Sequence, residues 1–401
     1  MFARLRPIPP ELRAALSAAL WSRLVVWGAG LAALGLLGRK PGWERFDPAG
    51  LTRPFGAVGD TLVAPAASWD AMWFLAVAGQ GYDDGARPAF FPLYPALVWL
   101  AGLVTRSELV GGLLVAGAST VVALVLVHRL AALELGERYA APAVYVVAFF
   151  PTAGFLSAVY SESLFLALTL GAFLAARREA WWLAGLLGAL AAATRSIGVL
   201  LVLPLGMLHL EQHRRTGLSI LWIALVPLGL AAYCGYLGLI GSDPLLPFRA
   251  QEVWMRSLAG PFAGAWQGAG AAVDGAQQLL SGSRTPVYFE LAGGDPFEAA
   301  RRNLVDFAFL LFAAVALVGA ARRLPPAYAA WAFVALALPL SYPVGPQPLM
   351  SLGRFVLVLF PLLLWLTAAL IDRGWTGRWL AVSGAALAVL SAQFTVWEFV
   401  G

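Results

Sequence analysis

The sequence predicts an all-α polytopic membrane protein. Three features carry that reading: its composition, the spacing of its apolar runs and the placement of its basic residues. Of the 401 residues 60% are hydrophobic and 12% charged, against about a quarter charged in soluble domains, and the mean hydropathy is +0.77. Apolar runs of about 17–25 residues, long enough to cross a bilayer as helices, recur along the chain, and arginines gather at alternate ends of them. Lys40 is the only lysine among the 27 basic residues. With the excess of Ala, Leu and Gly, this points to a GC-rich bacterial genome and hence to a bacterial plasma membrane. The net charge of +5 is what topology-setting arginines produce, so nucleic acid is not an expected partner. A single cysteine, Cys234, excludes an internal disulfide and any cysteine metal cluster.

Residues 1–401 read as one integral membrane domain. The first span covers about 14–38; Arg4, Arg6 and Arg13 before it place the N-terminus in the cytoplasm, and its length exceeds a signal-peptide core. Residues 39–106 form the first outer loop. Its apolar run 89–105 is only about 17 residues long with Pro88, Pro92 and Pro95 near its start, and counting it as a span would put Arg177-Arg178 and Arg322-Arg323 outside, so it is laid in the interface as a juxtamembrane helix. Span 108–127 runs inward to His128-Arg129 and Arg138, 139–156 returns, and 162–176 runs inward to Arg177-Arg178. Short spans at 180–194 and 197–210 end inward at His209, His213, Arg214 and Arg215. Span 218–240 goes out to a long outer loop, 241–302, whose stretch from Gly264 to Ser283 reads as mobile. Spans 303–321, 326–341, 352–371 and 378–397 complete about eleven transmembrane helices, with Arg322-Arg323, Arg373 and Arg378 inside.

This topology brings four polar residues to the outer face: Asp70, Glu162, Arg195 and Arg354. All three histidines fall on the cytoplasmic side, which removes them from an outer site. Asp70, in Ser68-Trp69-Asp70, lies in a partly apolar interfacial setting that suits a general base; the same position also suits a helix N-cap. Asp83-Asp84-Gly85 reads as a turn. Glu162 opens a span at its outer end, where the helix dipole alone would favour a carboxylate, and snorkelling accounts for Arg195. Arg354 opposes both the dipole and the positive-inside tendency, so an anion is expected as its partner, and a phosphate suits the guanidinium fork. In the loop, Gln251 and Trp254 suit hydroxyl recognition and sugar stacking, and Trp254 equally suits an aromatic belt. There is no Walker motif, dinucleotide fingerprint or metal-ligand cluster.

In their order, Trp69-Asp70 through Gly81-Tyr82, Ala89 to Pro95, Phe150-Pro151 with Tyr160-Ser161-Glu162-Ser163, Thr194-Arg195-Ser196, Asp243-Pro244 with Gln251 and Trp254, and Arg354-Phe355 resemble the PIG-V type mannosyltransferases of the GT-C superfamily. The resemblance implies a GT-C fold and an inverting transferase. Its donor would be a polyprenyl-phosphate mannose of the dolichol-phosphate type, its acceptor a lipid or glycolipid, and its active site would lie on the non-cytoplasmic face, with no cofactor. Carried over, Asp70 is the base, Arg354 and Arg195 hold the phosphate, and Glu162 beside Tyr160 lines the site. Trp69, Tyr94, Gln251 and Trp254 join them as substrate contacts. The chain departs from the pattern at Ser196, where asparagine is usual, and eukaryotic members act on glycosylphosphatidylinositol precursors, an acceptor not expected in a bacterium. Two alternatives stay open: the same fold with another polyprenyl-phosphate sugar, and a lipid or sugar transporter. A transporter would show internal repeats and polar residues near mid-membrane.

Overall fold

The computed structural model describes residues 8–83, 85–213, 217–285 and 295–400, so Arg4, Arg6, Asp84, Arg214 and Arg215 lie outside the described residues. Within them every regular element is helical, with one isolated β-bridge between Arg256 and Val344. The helices are α1 (Pro10–Leu37), α2 (Gly56–Val63), α3 (Ala71–Gln80), α4 (Leu93–Thr105), α5 (Glu108–Leu135), α6 (Glu137–Ala148), α7 (Glu162–Arg177), α8 (Trp181–Ala192), α9 (Val202–Gln212), α10 (Leu225–Leu239), the short α11 (Leu246–Arg249), α12 (Ala263–Ser281), α13 (Pro296–Arg323), α14 (Pro326–Leu340), α15 (Leu352–Leu357), α16 (Phe360–Asp372) and α17 (Thr376–Thr395). Among the described residues four stretches are long and apolar enough to cross a bilayer: α1, α5, residues Leu218–Leu239 and α13. Five more apolar helices are shorter, and Gly56–Ala66 with Ala71–Gln80 makes a pair bent by 112°. The chain is an integral membrane protein.

Its charges sort to two ends. At one end Arg129 meets Glu11 at 2.9 Å, Arg177 meets Glu134 at 2.6 Å, and Arg138 and Arg323 meet Asp372 at 3.0 and 2.7 Å. These residues lie near the starts of α1 and α6 and the ends of α5, α7, α13 and α16. The far ends of the same helices carry Lys40, Glu162 and Glu298. At about 1.5 Å per residue, the 28 residues of α5 hold the two sets roughly 40 Å apart.

Helices approach closely where glycine removes a side chain. Gly185 of α8 lies against the Trp222 carbonyl and Gly229 of α10 against that of Ala189, the small-residue contact that membrane helices use in place of a hydrophobic driving force. The same logic corrects the expectation for Gly264 to Ser283, which is helix α12 rather than a mobile segment. A Cβ on Gly264 would lie 2.8 Å from the Leu340 carbonyl, and one on Gly275 would lie 3.0 Å from that of Ala300. Its glycines therefore serve packing on α13 and α14.

Two expected spans are broken. The helix expected at 139–156 ends at Ala148, and the chain reaches α7 through a 3-10 turn, Ala153–Leu156. The span at 352–371 divides into α15 and α16 around Val358 and Leu359, which Pro361 at the start of α16 favours by withholding a backbone donor. Irregular backbone at membrane depth is tolerated where protein buries it, and both breaks are buried.

Candidate active site

The site grows from the turn 68–70. Trp69 takes a left-handed φ of +56°, uncommon for a bulky residue, and the turn is held in place by a tyrosine. The Asp70 backbone N–H donates to the Tyr160 hydroxyl at 2.9 Å, and that hydroxyl donates to the Ser68 carbonyl at 3.1 Å. Tyr160 is buried just ahead of α7. Asp70 occupies the N-cap position of α3, but its side chain makes no capping hydrogen bond, so the capping reading does not explain the carboxylate.

That carboxylate accepts instead from Arg354. The Arg354 Nη1 lies 2.6 Å from Asp70 Oδ2 and its Nε 3.2 Å from Glu162 Oε1; the Arg195 Nη1 reaches the same Glu162 oxygen at 2.7 Å and the Ser161 hydroxyl at 3.4 Å. The four residues expected at one face are thus in contact, across 284 positions of sequence between Asp70 and Arg354. Glu162 is 1% exposed, and its Oε2 is buried with no hydrogen-bond partner among the described residues. Glu162 opens α7 as expected, but its side chain is also ion-paired, and Arg195 binds it rather than snorkelling to the interface. Arg354 has its anions within the chain.

A third arginine belongs to this group, and sequence reasoning passed over it. Arg256 donates only to backbone carbonyls, of Tyr342 at 3.4 Å and Met350 at 3.1 Å. Burial first, then the neighbouring Arg354, pull its guanidinium down to about 10. The guanidiniums of Arg195, Arg256 and Arg354 lie 5.5, 5.7 and 5.8 Å from the centroid of one ring, Phe355. Arg195 and Arg354 pair with Glu162 and Asp70, while Arg256, which Asp306 of α13 also attracts, makes no ion pair among the described residues. The signal was present in Trp254-Met255-Arg256, a cation just after the aromatic motif.

Aromatic walls flank Asp70. On one, Trp254 packs edge-on to Trp73 at 5.9 Å and Phe90 at 5.6 Å; Trp73 stands one helical turn after Asp70. On the other, Trp69 contacts Phe46, Trp397 and Phe399 at 4.7, 5.7 and 5.2 Å. Gln251 sits half-buried in the 3-10 turn that leads to Trp254. Tyr94 is not brought into the site: fully buried, it gives its hydroxyl to the Gly112 carbonyl at 3.2 Å and packs edge-on to Phe74. It supports α3 from behind. Asp83 forms an ion pair with Arg87, while the turn expected at Asp83-Asp84-Gly85 includes Asp84, outside the described residues; the stacked His209 and His213 rings lie against Trp181.

Residues 56–215 match the model of the family described as Mannosyltransferase (PIG-V), a window that holds Asp70, Glu162 and Arg195. Three relatives are each a "GPI alpha-1,6-mannosyltransferase 2". That of Rattus norvegicus is 36% identical over 173 residues, 40% of this chain and 35% of its own. That of Cricetulus griseus is 38% identical over 152 residues, 35% and 31% of the two chains, and that of Mus musculus 37% over 188 residues, 43% and 37%. The matched stretch thus spans about a third of the length of these relatives. Among solved structures, a crystal structure of the Archaeoglobus fulgidus oligosaccharyltransferase tethered with an acceptor peptide covers 97% of this chain and 54% of its own, at 12% identity and a TM-score of 0.45.

Proposed function

With the PIG-V match of residues 56–215 as premise, we propose that the chain is an inverting GT-C type mannosyltransferase. It moves mannose from a polyprenyl-phosphate mannose to a lipid or glycolipid acceptor. The observation that carries this reading is the Asp70–Arg354–Glu162–Arg195 cluster: one partly exposed carboxylate in contact with largely buried guanidiniums, with Arg256 beside them bonded to backbone carbonyls.

Asp70 takes the proton of the acceptor hydroxyl. The acceptor oxygen attacks the anomeric carbon from the face opposite the phosphate, the bond from that carbon to the phosphate oxygen breaks, and its electron pair leaves with the polyprenyl phosphate. Backside attack inverts the anomeric centre. Arg354, Arg195 and Arg256 meet the charge growing on the leaving group, a preorganised electrostatic stabilisation. The arriving phosphate competes with Asp70 for Arg354, which loosens the ion pair and frees the carboxylate to act as base. The unpartnered Glu162 Oε2 is suited to accept from a hydroxyl of the transferred sugar.

The end of the molecule rich in arginine pairs faces the cytoplasm under the positive-inside rule. The start of α1 lies at that end through Glu11 and Arg129, so the N-terminus is cytoplasmic and the Asp70 cluster faces the outer side of a bacterial plasma membrane. The test is transfer of radiolabelled mannose from synthetic polyprenyl-phosphate mannose to a lipid extract of the host by the purified chain. A labelled lipid is expected. Product only with another lipid-linked sugar would move the donor, and no product with any such donor would refute the reading.

A further inference from the structure

Behind Trp69 lies a cavity of about 400 Å³, within the range of about 300–1,000 Å³ typical of small-molecule sites. Resting on the transferase reading, we infer that this cavity is where the terminal pyranose of a glycolipid acceptor is seated.

Its apolar wall is built from rings in mutual contact: Trp43 on Trp397 at 5.3 Å, Phe46 on Trp69 at 4.7 Å, and Phe399 edge-on to Trp69 at 5.2 Å. Its polar wall is charged and ordered. Lys40 meets Glu298 at 2.5 Å, Glu298 meets Arg302, and the Arg302 guanidinium lies 5.2 Å from the Phe399 ring. Gln347 lines the same space, and its side-chain amide makes no hydrogen bond among the described residues. A pyranose has this duality, with C–H groups on its faces and hydroxyls around its rim. An aromatic platform beside an amide with unused donors and acceptor recognises both; an acyl chain would leave the polar wall unmatched.

The backbone points the same way. Trp69 and Trp397 both line the cavity, and both take left-handed φ values, +56° and +66°. Such strain persists only where the surroundings enforce it, and it clusters at ligand sites. Here the Trp69 Nε1 donates to the Glu398 carbonyl at 3.2 Å. The cavity also adjoins the chemistry on two sides. Trp69 directly precedes Asp70, and Met350, another lining residue, uses its carbonyl to hold Arg256. A sugar seated on these rings has the base one residue beyond its platform and the phosphate-binding arginines behind Met350.

The test uses the purified full chain with methyl α-D-mannopyranoside and methyl β-D-glucopyranoside as soluble probes, read by saturation-transfer NMR. Binding of at least one probe is expected in the parent and in Asp70→Asn, weakened about tenfold in Gln347→Ala and in Phe46→Ala, as loss of a hydrogen-bonding or stacking contact implies. In the transfer assay the same two variants are expected to raise KM for the acceptor lipids about tenfold, with KM for the donor unchanged. Binding of neither probe, equal binding in parent and variants, or a shift confined to the donor KM would overturn the acceptor site even while Asp70-dependent transfer stands. Probe binding that the variants weaken, with no transfer from any donor, would keep a sugar site and sink the transferase reading instead.

Discussion

Replacing Asp70 by asparagine separates the chemistry of this carboxylate from its place in the ion-pair cluster. Asparagine is close to isosteric, the Asp70 backbone N–H keeps its bond to Tyr160, and the amide oxygen still accepts from Arg354. What is lost structurally is the charge assistance of one hydrogen bond. Bonds to charged groups contribute about 1.5–3 kcal/mol and neutral ones about 0.5–1.5, and the Asp70 side chain is 23% exposed, so stability should fall by only about 1 kcal/mol. What is lost chemically is the proton acceptor. General base catalysis contributes about 10²–10⁴ in rate, or roughly 3–5 kcal/mol of barrier at 1.36 kcal/mol per decade. The barrier change should therefore exceed the stability change several-fold. Mannose transfer under saturating donor, measured beside thermal unfolding in the same detergent, reads both. A variant with near-parental stability and a rate lowered at least about a hundredfold fits the reasoning. A rate within a few-fold of the parent would refute Asp70 as base, and a rate loss matched by an equal stability loss would make the residue structural.

Arg354→Ala takes from Asp70 its ion-pair partner and leaves the 1%-exposed Glu162 paired with Arg195 alone; breaking a buried pair costs about 3–5 kcal/mol, so a large drop in unfolding temperature and loss of donor binding are expected, with Arg354→Lys recovering more of the stability than of the donor affinity. Equal donor affinity in parent, Ala and Lys forms would exclude a phosphate role. Arg256→Ala removes a guanidinium bonded only to carbonyls, so donor KM should rise about tenfold or more, as loss of a hydrogen bond to a charged group predicts, with little change in unfolding temperature. An unchanged donor KM would place Arg256 outside the phosphate site. Gly229→Ala drives a methyl into the Ala189 carbonyl across the α8–α10 contact and should cost about 1–3 kcal/mol without altering donor KM; unaltered stability would show that the two helices separate freely.

The features legible in the sequence were those set by local physics. Span length and arginine placement follow from bilayer thickness and the positive-inside tendency, and they were enough to bring Asp70, Glu162, Arg195 and Arg354 to one end although neither motif spacing nor propensity relates position 70 to position 354. Sidedness is a single coordinate, however, and it leaves open which charges touch. It could call for an anion beside Arg354 but could not tell a ligand's phosphate from the chain's own Asp70. The misreadings share one cause, which is that a residue type has different uses in water and in a packed membrane interior. Glycine and alanine from 264 to 283 signal mobility where solvent competes for the backbone. Against α13 and α14 the same residues permit contact, because a helix in lipid gains by bringing backbones together. Tyr94 shows the converse: within a motif rich in aromatics its hydroxyl could have faced a sugar, but in a water-poor core it must find an acceptor, and Gly112 supplies one.

The same reasoning explains why the second aromatic wall escaped notice. Trp397 closes the last expected span and Phe399 lies just beyond it, where rings ordinarily mark the membrane interface, and nothing local separates an interfacial tryptophan from one that lines a cavity. The difference arises only when Trp397 takes a positive φ and turns onto Trp43 and Trp69, a contact between the end of the chain and its first loop. Strain of this kind is a property of the closed fold, since in the open chain nothing would hold the residue there. A site assembled from helix ends, broken spans and a strained turn is therefore visible in sequence only as its separate polar residues, and the space between them is set by packing.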